Sequence, residues 1–360
     1  MKKKLLFFGY TLDMGGAEKV LIDYLNVLSK SYDIDLALLK VQGALLPSLP
    51  QGIKTIEIRK GFFPYLLFRY IPFFRKRKIN KIANGSEYVS AVGFFEGRSA
   101  TWVADIKKNV RKIAWVHTDV NHFDIGISVR EATDSYSKMD AVVLVSDDAK
   151  NSFLNKYKID SERVKVLYNL IDDKKILALS QEKVEPNDCF TFVNIGRLSP
   201  PKRQDRLVEI AKRLRDKNLV FKIQIIGDGT EREKLEKSIK NNQLEDKVKL
   251  LGLKSNPYPY IKQADCFVLT SDFEGFGIAA KEALVLGTPV ISTAVTGIKE
   301  VLKGGDYGIL CDVDTEALYN AMYSVLASKE ILRDARKKLE NFDCSNGPII
   351  NQLFSIMEGI

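Results

Sequence analysis

Glu274 and Glu282 stand eight positions apart in the segment EGFGIAAKEALVLGTPVI. From Ile278 to Leu286 the segment is apolar apart from Lys281 and Glu282, and it reads as a largely buried helix. Helical spacing surrounds Glu282 with Ile278, Ala279, Val285 and Leu286. All four are apolar, and an unpaired carboxylate among them is costly. Gly275 and Gly277 place Glu274 in the preceding loop, where Phe276, Gly277 and Ile278 present backbone amides. One carboxylate in a loop and a second on the following helix suit an elongated ligand rich in hydroxyl donors.

Cations stand in a second loop. NIGRLSPPKRQDRL leaves a strand at Ile195, turns at Gly196 and enters a helix expected from about Lys202 to Asp216. Arg197 and Lys202 lie at the mouth of that helix, where cations oppose the dipole unless an anion sits between them. The plain alternative is a solvated basic face, since Arg203 and Arg206 follow directly. A third loop, YTLDMGGAEKVLI, offers Gly15 and Gly16 before a helix expected from Ala17 to Lys30, an arrangement that lets amides approach a phosphate. It is not a GxGxxG fingerprint.

The elements that must position these loops alternate along the chain. LLFFGY, DLALLK, TIEI, YVSAVGFF, KIAWVHT, AVVLVS and VKVLYN read as strands in the first half, with a helix over Asp147–Tyr157 among the intervening stretches. The polar run DDKKILALSQEKVEPNDC reads as a linker. The pattern then restarts with FTFVNIG, FKIQIIGDG, KVKLLG, CFVLTS and PVISTA as strands and a helix over Glu231–Asn241. No fixed-period repeat is present. Alternation of this kind predicts an α/β protein of two doubly wound parallel-sheet domains facing one another across a cleft. Ligands of such sheets bind beyond the carboxyl ends of the strands.

Composition excludes several classes. The 360 residues suffice for two domains, and 45% hydrophobic with 28% charged residues describes a globular chain. Four scattered cysteines without a CxxC pair, and only two histidines, argue against a disulfide scaffold or a zinc site and fit a reducing cytoplasm. No acidic metal motif stands on a loop, since DID at 33–35 opens a buried-looking strand. The first residues, MKKKLLFFGYTLDMGG, read as a buried first strand rather than a signal peptide, because Asp13 and Gly-Gly follow at once. The net charge of +9 allows an anionic partner.

These motifs together resemble the retaining glycosyltransferases of family 4, which have the GT-B fold. The Glu274–Glu282 spacing with Gly-Phe-Gly between, GRLSPPK, IIGDG at 225–229, GTPVISTAVTGIKEVL, GGAEKVL and VHTD all match family patterns. The resemblance covers nearly the whole chain. It implies that Glu282 binds ribose hydroxyls and that Arg197 and Lys202 hold the diphosphate and stabilise it as the leaving group. Glu274, with the amides of Phe276, Gly277 and Ile278, would hold the donor sugar and phosphate. Gly15, Gly16, Gly196 and Gly227 would line the donor site, and His117 would lie near the transferred sugar. A histidine closing a strand with its ring hydrogen-bonded locally is the other reading of His117. Two positions depart from the family: Arg203 and Leu170 stand where glycine is usual.

The resemblance further implies a nucleotide-sugar donor, UDP-sugar by family frequency, retention at the anomeric carbon, and no metal or cofactor. It implies Rossmann-like domains over 1–172 for the acceptor and 173–340 for the nucleotide-sugar, with a helix in 341–360 crossing back to the first. The segment from Arg59 to Lys81 carries eight Lys/Arg, seven aromatics and no acidic residue. Phe62, Phe63, Phe73, Phe74, Arg75, Lys76, Arg77 and Lys78 are its candidates for contact with an anionic membrane. Membrane contact suits a lipid-linked or glycan acceptor and a cytoplasmic enzyme on the inner face of the plasma membrane. Packing of the aromatics on the core is the competing reading. Nucleic acid is not expected, because no binding module accompanies the basic segment. A non-catalytic partner that stabilises another transferase is the rival function; an NAD-dependent enzyme would lack its fingerprint.

Overall fold

A computed structural model of the protein describes residues 2–13, 15–59, 71–122, 124–340 and 342–360. The chain divides into two compact units, Met1–Leu170 with Ser345–Ile360, and Ile171–Cys344. Each is built on one parallel sheet with helices between its strands.

In the first unit the strands are β1 (Lys3–Gly9), β2 (Tyr32–Leu38), β3 (Lys54–Glu57), β4 (Tyr88–Gly93), β5 (Arg111–Val116), β6 (Ala141–Leu144) and β7 (Val164–Val166). Their order is β3-β2-β1-β4-β5-β6-β7. The N-terminal apolar run is thus a central strand, buried from Leu5 to Gly9. A parallel sheet covered on both faces demands such runs, and they are what made the strands visible. Asp35 of the DID sequence is buried in β2 and accepts the Tyr88 hydroxyl at 2.6 Å.

The second unit holds β8 (Thr191–Ile195), β9 (Lys222–Ile226), β10 (Val248–Gly252), β11 (Cys266–Leu269), β12 (Val290–Thr293) and β13 (Gly308–Cys311), in the order β10-β9-β8-β11-β12-β13. β13 escapes the sequence reading because it is a four-residue edge strand, half-buried throughout. In both sheets the chain winds outward on one side and returns on the other. The topological switch points therefore fall between β1 and β4 and between β8 and β11.

Two local expectations are corrected. The α-helix after β8 begins at Asp205, not Lys202; a 3-10 turn over Pro200–Lys202 precedes it. The break is Arg203, whose φ of 49° is left-handed. The stretch read as a linker contains a helix, Asp173–Leu179, because Ile176 is buried against its own unit.

The last helix, Gly347–Glu358, packs on the first unit at the amino ends of its strands. Ser90 Oγ donates to the Met357 carbonyl at 2.5 Å, and Arg111 Nε donates to the Ile356 carbonyl at 2.9 Å. A cation on the last carbonyls of a helix is favourably placed. Glu358 accepts from the Tyr32 hydroxyl at 2.7 Å and from Lys3 Nζ at 3.0 Å, and this lowers its carboxyl pKa.

Candidate donor site in the second unit

The loops after β8 and β11 flank the switch point of the second sheet, and they carry the residues singled out by type and spacing. Lys202 Nζ donates to Glu274 Oε1 at 2.6 Å, and Ser271 Oγ donates to the same oxygen at 2.7 Å. Thr270 Oγ1 binds the Lys202 carbonyl at 2.6 Å, and Thr293 Oγ1 binds the Ser271 carbonyl at 2.7 Å. Two threonines at strand ends thus fix the backbone that carries Lys202 and the loop that leads to Glu274.

Arg197 is exposed, with no ion pair among the described residues. Its carbonyl accepts from Gln204 Nε2 at 3.2 Å, while Gln204 Oε1 is buried without a hydrogen-bond partner among the described residues. A Cβ added at Gly196 would meet nothing nearer than 3.7 Å, so packing within the protein does not demand glycine there. Gly227 differs. Its φ is +145° and an added Cβ would lie 1.9 Å from the Gly196 carbonyl oxygen, so it serves to seat the β9 loop against the β8 loop.

The helix Ile278–Val285 opens at Gly277, which has φ +80°, with no side-chain cap and no acid in its first turn. Its positive end is thus left without a counter-charge from its own sequence, the ordinary setting for an anion. A Cβ on Gly277 would fall 2.2 Å from Ile298 Cδ1, and one on Gly297 would fall 2.6 Å from the Gly275 carbonyl oxygen. The two loops approach too closely for side chains. Phe276 is buried, with the Lys281 ammonium 5.5 Å from its ring centroid. Burial lowers the Lys281 pKa to about 8.

Glu282 is buried, as its apolar neighbours require, and the Tyr258 hydroxyl donates to Oε1 at 2.9 Å. Tyr258 lies 24 positions upstream at the start of another helix, and no local signal in the sequence connects them. Arg206, which could be read as a solvated cation, is buried. It donates to the Thr270 carbonyl at 2.8 Å and the Val313 carbonyl at 3.1 Å, and pairs with Asp272 at 2.8 Å. Arg203 binds Asp205 at 3.0 Å and Asp272 at 3.2 Å. These pairs hold a left-handed residue where glycine would be free of strain. Leu170, the other departure, is buried and is not among the positive-φ residues.

Other expected residues lie in the first unit. His117 follows β5, and its Nε2 stands 2.8 Å from the Phe94 carbonyl. A carbonyl only accepts, so Nε2 carries the proton and the ring is held locally. Burial lowers its pKa to about 4. Gly15 is the N-cap of the helix Gly16–Leu28, one residue earlier than expected, and a Cβ on it would lie 2.2 Å from Glu18 Oε2. In the basic segment, Phe62 and Phe63 lie outside the described residues. Pro72–Ala83 is a helix in which Phe73 is 65% exposed and Lys76 and Arg77 are exposed. Phe74 and Lys78 are half-buried. Arg75 is not a surface cation: it is buried, with Nε 2.7 Å from Asp105 Oδ2 and Nη1 3.9 Å from Glu131 Oε1. All four cysteines are free. Among the described residues no cluster of three potential metal ligands forms, and no helix is long and apolar enough to cross a membrane.

Two doubly wound sheets, with cations, carboxylates and an uncapped helix at the switch point of the second, define the GT-B class of glycosyltransferases. The family model described as Glycosyltransferase Family 4 matches residues 14–175, and that described as Glycosyl transferases group 1 matches residues 176–342. The chain belongs to glycosyltransferase family 4. It is 27% identical, over 94% of its length and 93% of the relative's, to the N-acetylgalactosamine-N,N'-diacetylbacillosaminyl-diphospho-undecaprenol 4-alpha-N-acetylgalactosaminyltransferase of Campylobacter jejuni. It is 30% identical to the colanic acid biosynthesis glycosyltransferase WcaL, so named provisionally, of Escherichia coli, over 49% of this chain and 46% of that one. Among solved structures, Anabaena HepE with UDP and glucose superposes with a TM-score of 0.79 at 21% identity, covering 99% of this chain and 100% of HepE. The outer core galactosyltransferase WaaB gives 0.73 at 18%, covering 99% of each chain. At these identities the structural likeness speaks for the fold alone.

Proposed function

We propose that the protein transfers a sugar, with retention of anomeric configuration, from a UDP-sugar to a lipid-linked or glycan acceptor in bacterial surface-glycan synthesis. The observation that carries this reading is the gathering of Arg197, Lys202, Glu274 and Glu282 at the switch point of the second sheet, beside a helix without its own counter-charge. Glu282 and Tyr258 form an acceptor–donor pair suited to vicinal ribose hydroxyls. Lys202, held by Glu274 in the free protein, turns to the diphosphate when donor binds. Arg197, exposed and unpaired among the described residues, joins it.

Charge develops on the departing diphosphate as the anomeric carbon–oxygen bond breaks, and the two cations stabilise that charge without a metal. The acceptor oxygen attacks from the same face. Its proton passes to the departing phosphate oxygen. Glu282, bound by Tyr258 and assigned to the ribose, is kept from the anomeric carbon, so the two glutamates do not form a nucleophile–acid pair. Retaining hydrolases instead hold two carboxylates about 5 Å apart across the bond.

A lipid-linked acceptor is favoured by the undecaprenol-linked substrate in the name of the Campylobacter relative. Exposed Phe73 beside Lys76 and Arg77 favours docking on an anionic inner membrane face. The test is calorimetry with a panel of UDP- and GDP-sugars, wild type beside Glu282→Ala, followed by NMR of the product anomer. Micromolar binding of a UDP-sugar, weakened in the variant, and a retained anomer are expected. No donor bound by folded protein, or an inverted product, would overturn the reading.

A further inference from the structure

Lys202 and Glu274 come from loops 72 positions apart and meet at 2.6 Å. The Glu274 side chain is 12% exposed and that of Lys202 30%, so the pair is only partly screened by solvent. Ser271 Oγ donates to the same carboxylate oxygen at 2.7 Å, from a backbone that Thr293 holds by the Ser271 carbonyl. The carboxylate is therefore fixed from within its own loop. The ammonium, on a flexible four-carbon stem, is the partner that can move. Asp272 does not compete for it, since that carboxylate pairs with Arg203 at 3.2 Å and Arg206 at 2.8 Å. Among the described residues Lys202 and Glu274 have no other ion pair.

A phosphate that draws on Lys202 must take it from this carboxylate. The two nucleotides of the reaction meet that demand differently. A nucleotide-sugar carries one charge on each phosphate and brings sugar hydroxyls, whose protons can occupy Glu274 when the ammonium turns away. Transfer breaks the anomeric carbon–oxygen bond, and the terminal phosphate keeps the electron pair and takes the acceptor's proton. Near neutral pH that proton passes to water, because the second pKa of a phosphate monoester is about 6. The nucleoside diphosphate thus leaves with one more negative charge than the donor carried, and without the hydroxyls. It competes with Glu274 for Lys202 and gives the carboxylate nothing in return.

We infer that the Lys202–Glu274 pair is a release latch: Glu274, fixed by Ser271, weakens binding of the product nucleoside diphosphate relative to the nucleotide-sugar by reclaiming Lys202 once the sugar has gone. This rests on the glycosyl-transfer reading and adds to it a device against product inhibition. A pair that merely braces the two loops would act on both ligands alike, whereas a latch acts on them in opposite directions.

The test is calorimetry on the full chain, wild type beside Glu274→Gln, with the UDP- and GDP-sugar panel and with UDP and GDP themselves. Glu274→Gln keeps the shape of the side chain and an oxygen for Ser271 but gives up the charge that holds Lys202. For the donor that wild type accepts, the variant should bind the sugar nucleotide about 3- to 30-fold more weakly, a lost hydrogen bond to a charged group less the gain from a freed ammonium. It should bind the matching nucleoside diphosphate roughly 3- to 10-fold more tightly, the effect of freeing a partly buried pair. Ser271→Ala, which loosens the carboxylate and leaves its charge, should move both affinities the same way by less, and it decides the matter if Glu274→Gln does not fold. Both ligands weakened together, or an unchanged nucleoside diphosphate, would overturn the latch and leave the glycosyl-transfer reading standing. Failure of every donor to bind wild type would remove that reading and this inference with it.

Discussion

Glu282 shows how a residue can be legible in need and illegible in solution. The apolar neighbours demanded a partner, yet the partner, Tyr258, comes from another helix and could only be found in three dimensions. Tyr258→Phe should therefore destabilise the protein by about 1–3 kcal/mol, the cost of stripping a donor from a buried carboxylate. Thermal unfolding beside Glu282→Gln checks this, since the amide version needs no such donor and should lose less on the same Tyr258→Phe change. His117 makes a pH prediction. Its folded pKa of about 4 lies below the ordinary 6.5, so the unfolded chain binds the extra proton between those values. Its contribution to stability is complete above pH 6.5 and is lost as pH falls towards 4. Glu96, raised by burial, works in the opposite sense over nearby pH, so the comparison must be made against His117→Phe. NMR titration of the ring should show it neutral at pH 5, and the variant should flatten stability between pH 4 and 6.5. A ring titrating near 6.5 would show that the imidazole is not shielded from solvent, since burial is what lowers its pKa.

At the scale of elements, Arg203 and Arg206 show how this chain fixes its catalytic loops with residues that look like surface charge. Arg206 ties the ends of β11 and β13 through the carbonyls of Thr270 and Val313. Arg206→Leu should cost about 1–3 kcal/mol for each carbonyl left unsatisfied and loosen the loop that carries Glu274. Hydrogen exchange over residues 270–277 should rise in that variant and stay level in one with a distant surface change. Arg203 occupies a left-handed position at about 1–2 kcal/mol for a non-glycine residue. Its exposed ion pairs return little. Arg203→Gly should consequently be more stable than Arg203→Ala by about 1 kcal/mol, read as a difference in denaturant midpoint at equal slope. The strands were visible in the sequence because burial on both faces forces continuous apolar runs, and the edge strand β13 was missed because its run, Gly308–Cys311, is short and only half-buried at the sheet edge. The start of the helix at Asp205 was hidden because Lys202 and Arg203 read as its first residues, while Lys202 closes a 3-10 turn and Arg203 is left-handed.

At the scale of the molecule, the first unit is discontinuous: residues 171–344 are inserted before the helix Gly347–Glu358, which returns to it. Every donor contact proposed from side chains (Arg197, Lys202, Glu274, Glu282 and Tyr258) lies within the inserted unit. That unit has its own core, in which Phe192, Leu207, Ile210, Leu214, Phe221 and Ile223 are fully buried. At 100–200 residues such a core is of a size that folds alone. The inserted unit expressed by itself should give a dispersed NMR spectrum and bind a UDP-sugar in a Glu282-dependent way, more weakly than the whole chain. The first unit should behave differently. Its last helix brings Leu353 and Met357, both fully buried, and closes the amino ends of four strands through Lys3, Tyr32, Ser90 and Arg111. Leu353→Ala should cost about 2–5 kcal/mol, the range for large-to-small changes in a core. Hydrogen exchange should place that loss in β1, β2, β4 and β5 and leave β8 to β12 protected as before. Equal loss of protection in both sheets would mean that the two units unfold as one, and that the C-terminal helix serves the stability of the whole rather than of the unit it joins.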